Sequence, residues 1–142
     1  MRYGLIGEHL GHSFSKDIHE QIGEYPYSLQ ELSPEELEGF INAREFKAIN
    51  VTIPYKEKVI KYLDEVSDEV LNIGACNTIV NRDGKLCGYN TDYRGMKDML
   101  LKGDINVKDK KVLILGTGGT SRTASSLLTD LGASLVRKAS RR

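Results

Sequence analysis

"VLILGTGGTSRTA", Val112 to Ala124, joins an unbroken apolar run to a glycine turn and then to a helix-like pattern. The run does not alternate, as expected for a parallel strand buried on both faces. After the turn, Ala124, Leu127, Leu128 and Leu131 share one helical face, and Gly132 ends the helix. Gly116 and Gly118 match the first two glycines of G-x-G-x-x-G/A, with Ser121 in the third place. A turn of this kind lets backbone approach a pyrophosphate, and the helix N-terminus supplies amide hydrogens and the positive end of its dipole. Gly116, Gly118, Gly119, Thr120 and Ser121 are therefore candidate cofactor-binding residues. A glycine-rich βα turn that binds nothing is an equal alternative. "SLVRKAS" supplies a second strand. A chain of 142 residues leaves too little after Ala124 for a dinucleotide fold, so residues 112–142 read as one βαβ unit, the start of a Rossmann-like domain.

A site for NAD carries an acid about 20 residues beyond the glycines, at the end of the second strand. Ser140, Arg141 and Arg142 stand there instead. Arginine pairs with a 2′-phosphate, so Ser140 and Arg141 lean the choice toward NADP. A merely solvated basic terminus is the alternative.

Before this unit, residues 103–111 are polar and without periodicity, which marks a linker. Residues 1–102 alternate short apolar runs with helical patterns, the mark of an α/β class. Strands are expected at Tyr3–Gly7, Tyr27–Leu32 and Lys47–Ile53. Helices are expected from Ser15 to about Ile22, after Ser33 and from Asp92 to Lys102. Ser33-Pro34-Glu35-Glu36 reads as a capping box with proline where the helix tolerates it. Val59, Ile60, Leu63 and Val66 mark another helix, and Ser67 to Gly74 a short one. Asp83-Gly84 sets a two-residue hairpin in which Arg82 faces Lys85, Val80 faces Cys87 and Asn77 faces Asn90.

Composition excludes several classes. Lys and Arg total 20 and Asp and Glu total 20, so nothing pushes the chain toward nucleic acid or a membrane surface. No apolar run approaches a membrane span. Cys76 is expected on the opposite face from Cys87, without a disulfide, and reduced thiols suit a cytoplasmic protein. His9, His12 and His19 lack metal-ligand spacing and a supporting cluster, so no metal is expected.

Three stretches place polar groups beyond what a scaffold needs. Ser13 and Ser15 follow the first strand at a helix start, where hydroxyls and amides hold carboxylates; capping by Ser15 is the plain alternative. Asn50 and Thr52 share one strand face. Lys56 falls past Pro54, at the strand's C-terminal end, where open α/β sheets bind ligands; a surface lysine is the plain alternative. The hairpin register points Asn77 and Asp92 to one side. A lysine, a carboxylate and amides around one pocket suit acid–base work on a hydroxyl or carbonyl.

"GEHLGHSFSKDIH", "NVTIPYK", "IGACNTIV", "GYNTDYRG" and "LGTGGTSRTA", in this order, resemble shikimate dehydrogenase, an NADP-dependent oxidoreductase family. The resemblance implies a substrate domain with a mixed sheet at 1–102, a linker at 103–111 and part of an NADP-binding domain at 112–142. It implies reversible reduction of 3-dehydroshikimate to shikimate on the route to chorismate and aromatic amino acids. Ser13 and Ser15 match the serines that hold the substrate carboxylate, Thr52 a substrate-binding threonine with Asn50 beside it, and Lys56 the catalytic lysine. Asn77 and Asp92 match groups on the ring hydroxyls, Asp92 partnering the lysine. His9 and Lys16 stand where the family often has prolines, and Glu20 where it often has asparagine. Family members are roughly twice as long, so the chain is expected to be truncated and inactive alone. A non-catalytic substrate-binding fragment and a quinate/shikimate dehydrogenase able to use NAD are the alternatives, with a homodimer as an outcome for the uncovered strand edges.

Overall fold

The computed structural model describes residues 1–140; Arg141 and Arg142 lie outside them. Strand β1 (Tyr3–Gly7), helix α1 (Ser15–Ile22), strand β2 (Ser28–Glu31), helix α2 (Glu36–Ala43) and strand β3 (Ala48–Val51) follow in order. A short 3-10 helix, Lys58–Tyr62, leads to β4 (Glu65–Val66) and α3 (Asp68–Ile73). The hairpin β5 (Thr78–Arg82) and β6 (Lys85–Tyr89) precedes α4 (Asp92–Lys102). The second unit is β7 (Lys111–Leu115), α5 (Gly119–Asp130) and β8 (Leu135–Ala139).

The first unit is built on a mixed sheet in the order β2-β1-β3-β5-β6-β4. Strands β2, β1 and β3 run parallel, β5 is antiparallel to β3 and to β6, and β4 runs parallel with β6. The core packs Ile6, Ile41, Ile49, Val59, Ile79 and Leu86 in one cluster, each fully or almost fully buried. Burying an aliphatic side chain of this size contributes about 1.5–3 kcal/mol. Tyr55 is also fully buried, and its hydroxyl donates to the Leu32 carbonyl at 2.5 Å.

The hairpin register agrees with the sequence reading, with Val80 opposite Cys87 and Arg82 opposite Lys85. Asp83 and Gly84 both take positive φ, 51° and 92°, the geometry of a type I′ turn. Both cysteines are free. The Cys76 sulfur would meet a Cβ on Gly88 at 3.1 Å, and Gly88 points away from the Cys87 face by strand alternation. Burial pushes the Cys76 thiol up to about 11, which keeps it protonated as the donor to the Thr78 carbonyl.

Three local expectations are corrected. Ser15 is the first residue of α1 rather than its cap; the Ser13 hydroxyl instead accepts the Ser15 N–H at 3.2 Å. The capping box at Ser33 forms in one direction, with the Glu36 carboxylate accepting the Ser33 N–H at 2.8 Å. That bond holds Glu36 below the usual carboxylate range. The helix expected through Val66 stops at Tyr62, because Leu63 turns extended and Val66 enters β4. Asp64 draws the chain to the sheet by accepting the Leu86 N–H at 2.7 Å and pairing with Arg44 at 2.8 Å. These partners hold its carboxyl below the ordinary range. The exposed apolar surface expected of this short unit is present on β7: Leu113 is 61 % exposed and Leu115 83 % exposed, while α5 packs on the β7–β8 pair.

The second unit docks on the first. The Asn90 amide donates to the Ala75 carbonyl at 2.8 Å and to Thr123 Oγ1 on α5 at 3.3 Å. Tyr93 donates to Asp130 at 2.7 Å, and Arg122 pairs with Glu57 at 2.9 Å. No helix among the described residues is long and apolar enough to cross a membrane.

Gly7 closes β1 where three segments converge. A Cβ there would stand 2.7 Å from the Thr52 methyl, 2.8 Å from a Leu10 methyl and 3.2 Å from the Ile53 carbonyl. Gly7→Ala is expected to displace Thr52 and to destabilise the chain by about 1–3 kcal/mol. The urea midpoint reads this directly; an unchanged midpoint shows that the three neighbours yield without cost.

Candidate active site

A cleft of about 580 Å³ opens at the C-terminal ends of β1 and β3. Ser13, Ser15, Asn50, Thr52, Lys56, Asn77 and Asp92 all line it. Each reaches it through a local device. The Ser13 and Ser15 pair sits where β1 passes into α1. Ser13 Oγ accepts from the Ser15 amide, so its own proton remains available to a ligand. Asn50 sits on β3, and Thr52 follows that strand one period later.

Lys56 is anchored through its backbone: its carbonyl accepts the Cys76 N–H at 2.7 Å. Its side chain is 12 % exposed, and Nζ meets Asp92 Oδ2 at 2.5 Å. Asp92 is the first residue of α4, where a helix dipole favours an anion. Its other oxygen accepts from Asn77 Nδ2 at 2.8 Å. Asn77 is buried, and its Oδ1 accepts the Thr91 N–H at 2.9 Å. Carboxylate, amide and ammonium thus hold one another. The lysine and the carboxylate form an ion pair on the wall of the cleft.

The glycine turn adjoins this group. Gly116 has φ 127°, open to glycine and strained for other residues, and nothing lies within 4 Å of a Cβ at Gly116 or Gly118. A Cβ on Gly119 would stand 3.3 Å from Lys56 Cβ, so the turn rests on the lysine stem. Ser121 is buried and donates to the Gly118 carbonyl at 2.7 Å. Its hydroxyl therefore helps to shape the turn. The Ala139 carbonyl accepts the Gly116 N–H at 2.8 Å, which brings the segment before Ser140 beside the turn. Arg141 lies outside the described residues.

Sequence reasoning missed the surrounding polar framework. Tyr27, Thr78 and Thr91 bond directly to Asn50 or Asn77. Asn90 and Thr123 tie the two units. His19 lines the cleft, stacks on Tyr27 with ring centroids 4.0 Å apart, and bonds Tyr25. The strand register, which pairs Asn50 with Thr78, was the available signal for Thr78.

A family model described as the shikimate dehydrogenase substrate binding domain matches residues 5–79. The chain belongs to the shikimate dehydrogenase family. It is 42% identical over 148 residues to the shikimate dehydrogenase (NADP(+)) of Clostridium beijerinckii, covering 99% of this chain and 55% of that relative. The crystal structure of shikimate dehydrogenase 1 from Peptoclostridium difficile superposes with a TM-score of 0.93 at 41% identity, covering 100% of this chain and 56% of the other. Shikimate 5-dehydrogenase from Thermus thermophilus, solved in complex with NADP(H) and shikimate, superposes with a TM-score of 0.87 at 34% identity, covering 99% of this chain and 56% of the other. The chain thus spans about half the length of the relatives it matches.

Proposed function

We propose that the cleft binds shikimate and 3-dehydroshikimate and that Lys56 moves the proton in their NADP-dependent interconversion. The observation that carries this reading is the Lys56–Asp92–Asn77 group, held at 2.5 and 2.8 Å inside the cleft, with the glycine turn resting on the lysine stem. The Thermus relative's complex with NADP(H) and shikimate supports it.

The ligand's carboxylate goes to the Ser13 and Ser15 hydroxyls at the entrance to α1. Asn50, Thr52 and Asn77 face the ring hydroxyls. Lys56 donates its proton to the carbonyl oxygen at the 3-position during reduction and takes the hydroxyl proton back in the reverse direction. Asp92 compensates the ammonium and orients Nζ.

The donor set fits a pyrophosphate: open glycines at Gly116 and Gly118 precede the N-terminus of a 12-residue helix. Gly116, Gly118, Gly119, Thr120 and Ser121 would hold it, and Ser140 and Arg141 would serve a 2′-phosphate. NADP supplies the hydride acceptor or donor when bound.

Titration of the 142-residue chain with shikimate and with NADP separately, followed by two-dimensional NMR, tests the reading. Shikimate is expected to bind weakly but saturably, shifting resonances of Ser13, Ser15, Thr52 and Lys56. NADP is expected to bind far more weakly, because a lone βαβ unit offers little to the adenosine. Turnover by this polypeptide alone is expected to be negligible. Shikimate shifts that never saturate, or that fall elsewhere on the surface, count against the assignment.

A further inference from the structure

Five hydrogen bonds run without a break from Tyr27, buried beneath α1, to Lys56. Tyr27 Oη lies 2.7 Å from Asn50 Oδ1, and Asn50 Nδ2 3.1 Å from Thr78 Oγ1. Thr78 Oγ1 lies 3.0 Å from Asn77 Oδ1, Asn77 Nδ2 2.8 Å from Asp92 Oδ1, and Lys56 Nζ 2.5 Å from Asp92 Oδ2.

The donor direction of this chain is set by a group that cannot flip. The Thr91 backbone N–H donates to Asn77 Oδ1 at 2.9 Å, and reversing the Asn77 amide would set two donors face to face. With Oδ1 fixed as an acceptor, the Thr78 hydroxyl must spend its one proton on it. Toward Asn50, Thr78 is then an acceptor only, so Asn50 must present Nδ2 to Thr78 and Oδ1 to Tyr27. Tyr27 completes the sequence as a donor, and burial raises its phenol well above the ordinary value, which keeps that proton in place. Every proton in the chain therefore points toward the Asp92 carboxylate. Aligned donors of this kind polarise one another.

We propose that Thr78 and Tyr27 are positioning residues for this cleft: they lock the Asn50 and Asn77 amides into one donor direction, which fixes how the cleft wall meets a hydroxylated ligand and how Asp92 holds Lys56. This rests on the cleft being the shikimate site. Thr78 is the decisive link. Valine has nearly its shape but neither accepts from Asn50 nor donates to Asn77.

The test uses the isotope-labelled 142-residue chain and its asparagine side-chain amide resonances. In Thr78→Val the Asn50 NH2 pair is expected to move and to exchange with water about tenfold faster, the effect of losing roughly one hydrogen bond. Shikimate affinity is expected to fall about tenfold for the same reason. Thr78→Ser restores the hydroxyl without the methyl and is expected to return both readings to near the parent values. Tyr27→Phe is expected to shift the Asn50 pair while leaving the Asn77 pair in place. An unchanged Asn50 pair in Thr78→Val overturns the proposal, as does a Thr78→Ser variant that behaves like valine, which would make packing the cause. If Thr78→Val does not fold, an unmoved Asn50 pair in Tyr27→Phe overturns it equally. A parent chain that ignores shikimate speaks against the function proposed for the cleft, and the amide spectra still decide the orientation.

Discussion

Replacing Lys56 by alanine, in a polypeptide that extends this chain with a complete dinucleotide domain, is expected to lower turnover by about 10²–10⁴-fold, the usual contribution of a positioned acid–base group. Shikimate affinity is expected to fall much less. Asn50, Thr52 and Asn77 are held by bonds that do not pass through Lys56, and Ser13 and Ser15 line the cleft from the entrance to α1. The lysine ammonium is the one cation paired to Asp92 among the described residues, so no neighbouring lysine or arginine takes over its proton. The stem also matters. Gly119 leans on Lys56 Cβ and Cδ, so truncation loosens the glycine turn as well as removing the ammonium. Lys56→Met keeps most of that packing and separates the two effects. Comparable losses in turnover for alanine and methionine assign the effect to the proton. Near-normal turnover in either variant removes Lys56 from the chemistry.

The hairpin shows why this site was largely readable from sequence. Asp-Gly at a tight turn fixes the register, and register alone aims Asn77 and Asp92 at a common side. The structure keeps that pairing and adds the 2.8 Å bond. The strand period likewise brought Asn50 and Thr52 to the cleft, and Pro54 marked the end of β3 that delivers Lys56. What failed was whatever depended on a partner distant in sequence. Val59, Ile60, Leu63 and Val66 fit a helical face, yet the bonds from Asp64 to Leu86 and Arg44 turn that segment into the sheet. Ser15 looked like a cap from its type and place, while Ser13 took the amide because the turn after Leu10 set it there. Tyr27 and Thr78 were invisible as site residues for another reason. Their role is the direction of a hydrogen bond, and direction emerges only when Asn50, Asn77 and the Thr91 backbone amide meet.

Asp92→Asn is expected to depress turnover of the extended polypeptide on the order of 10²-fold and to weaken shikimate binding measurably in the 142-residue chain as well. The carboxylate accepts on both oxygens, from Asn77 Nδ2 at 2.8 Å and from Lys56 Nζ at 2.5 Å. An asparagine has one acceptor oxygen and one donor NH2, so it can satisfy only one of them. If its oxygen faces Lys56, its NH2 confronts the Asn77 NH2, which the Thr91 amide prevents from turning over. If its oxygen faces Asn77, the NH2 confronts an ammonium that is 12 % exposed and has lost its counter-charge. Leaving a partly buried charge or donor unmatched costs about 1–3 kcal/mol. Asp92→Glu keeps the charge but displaces it along the α4 N-terminus, so it is expected to recover binding more than turnover. Thermal unfolding completes the comparison. The core lies elsewhere, so Asp92→Asn is expected to fold with native-like cooperativity. An asparagine variant that binds shikimate and turns it over like the parent would show that Lys56 is poised without Asp92.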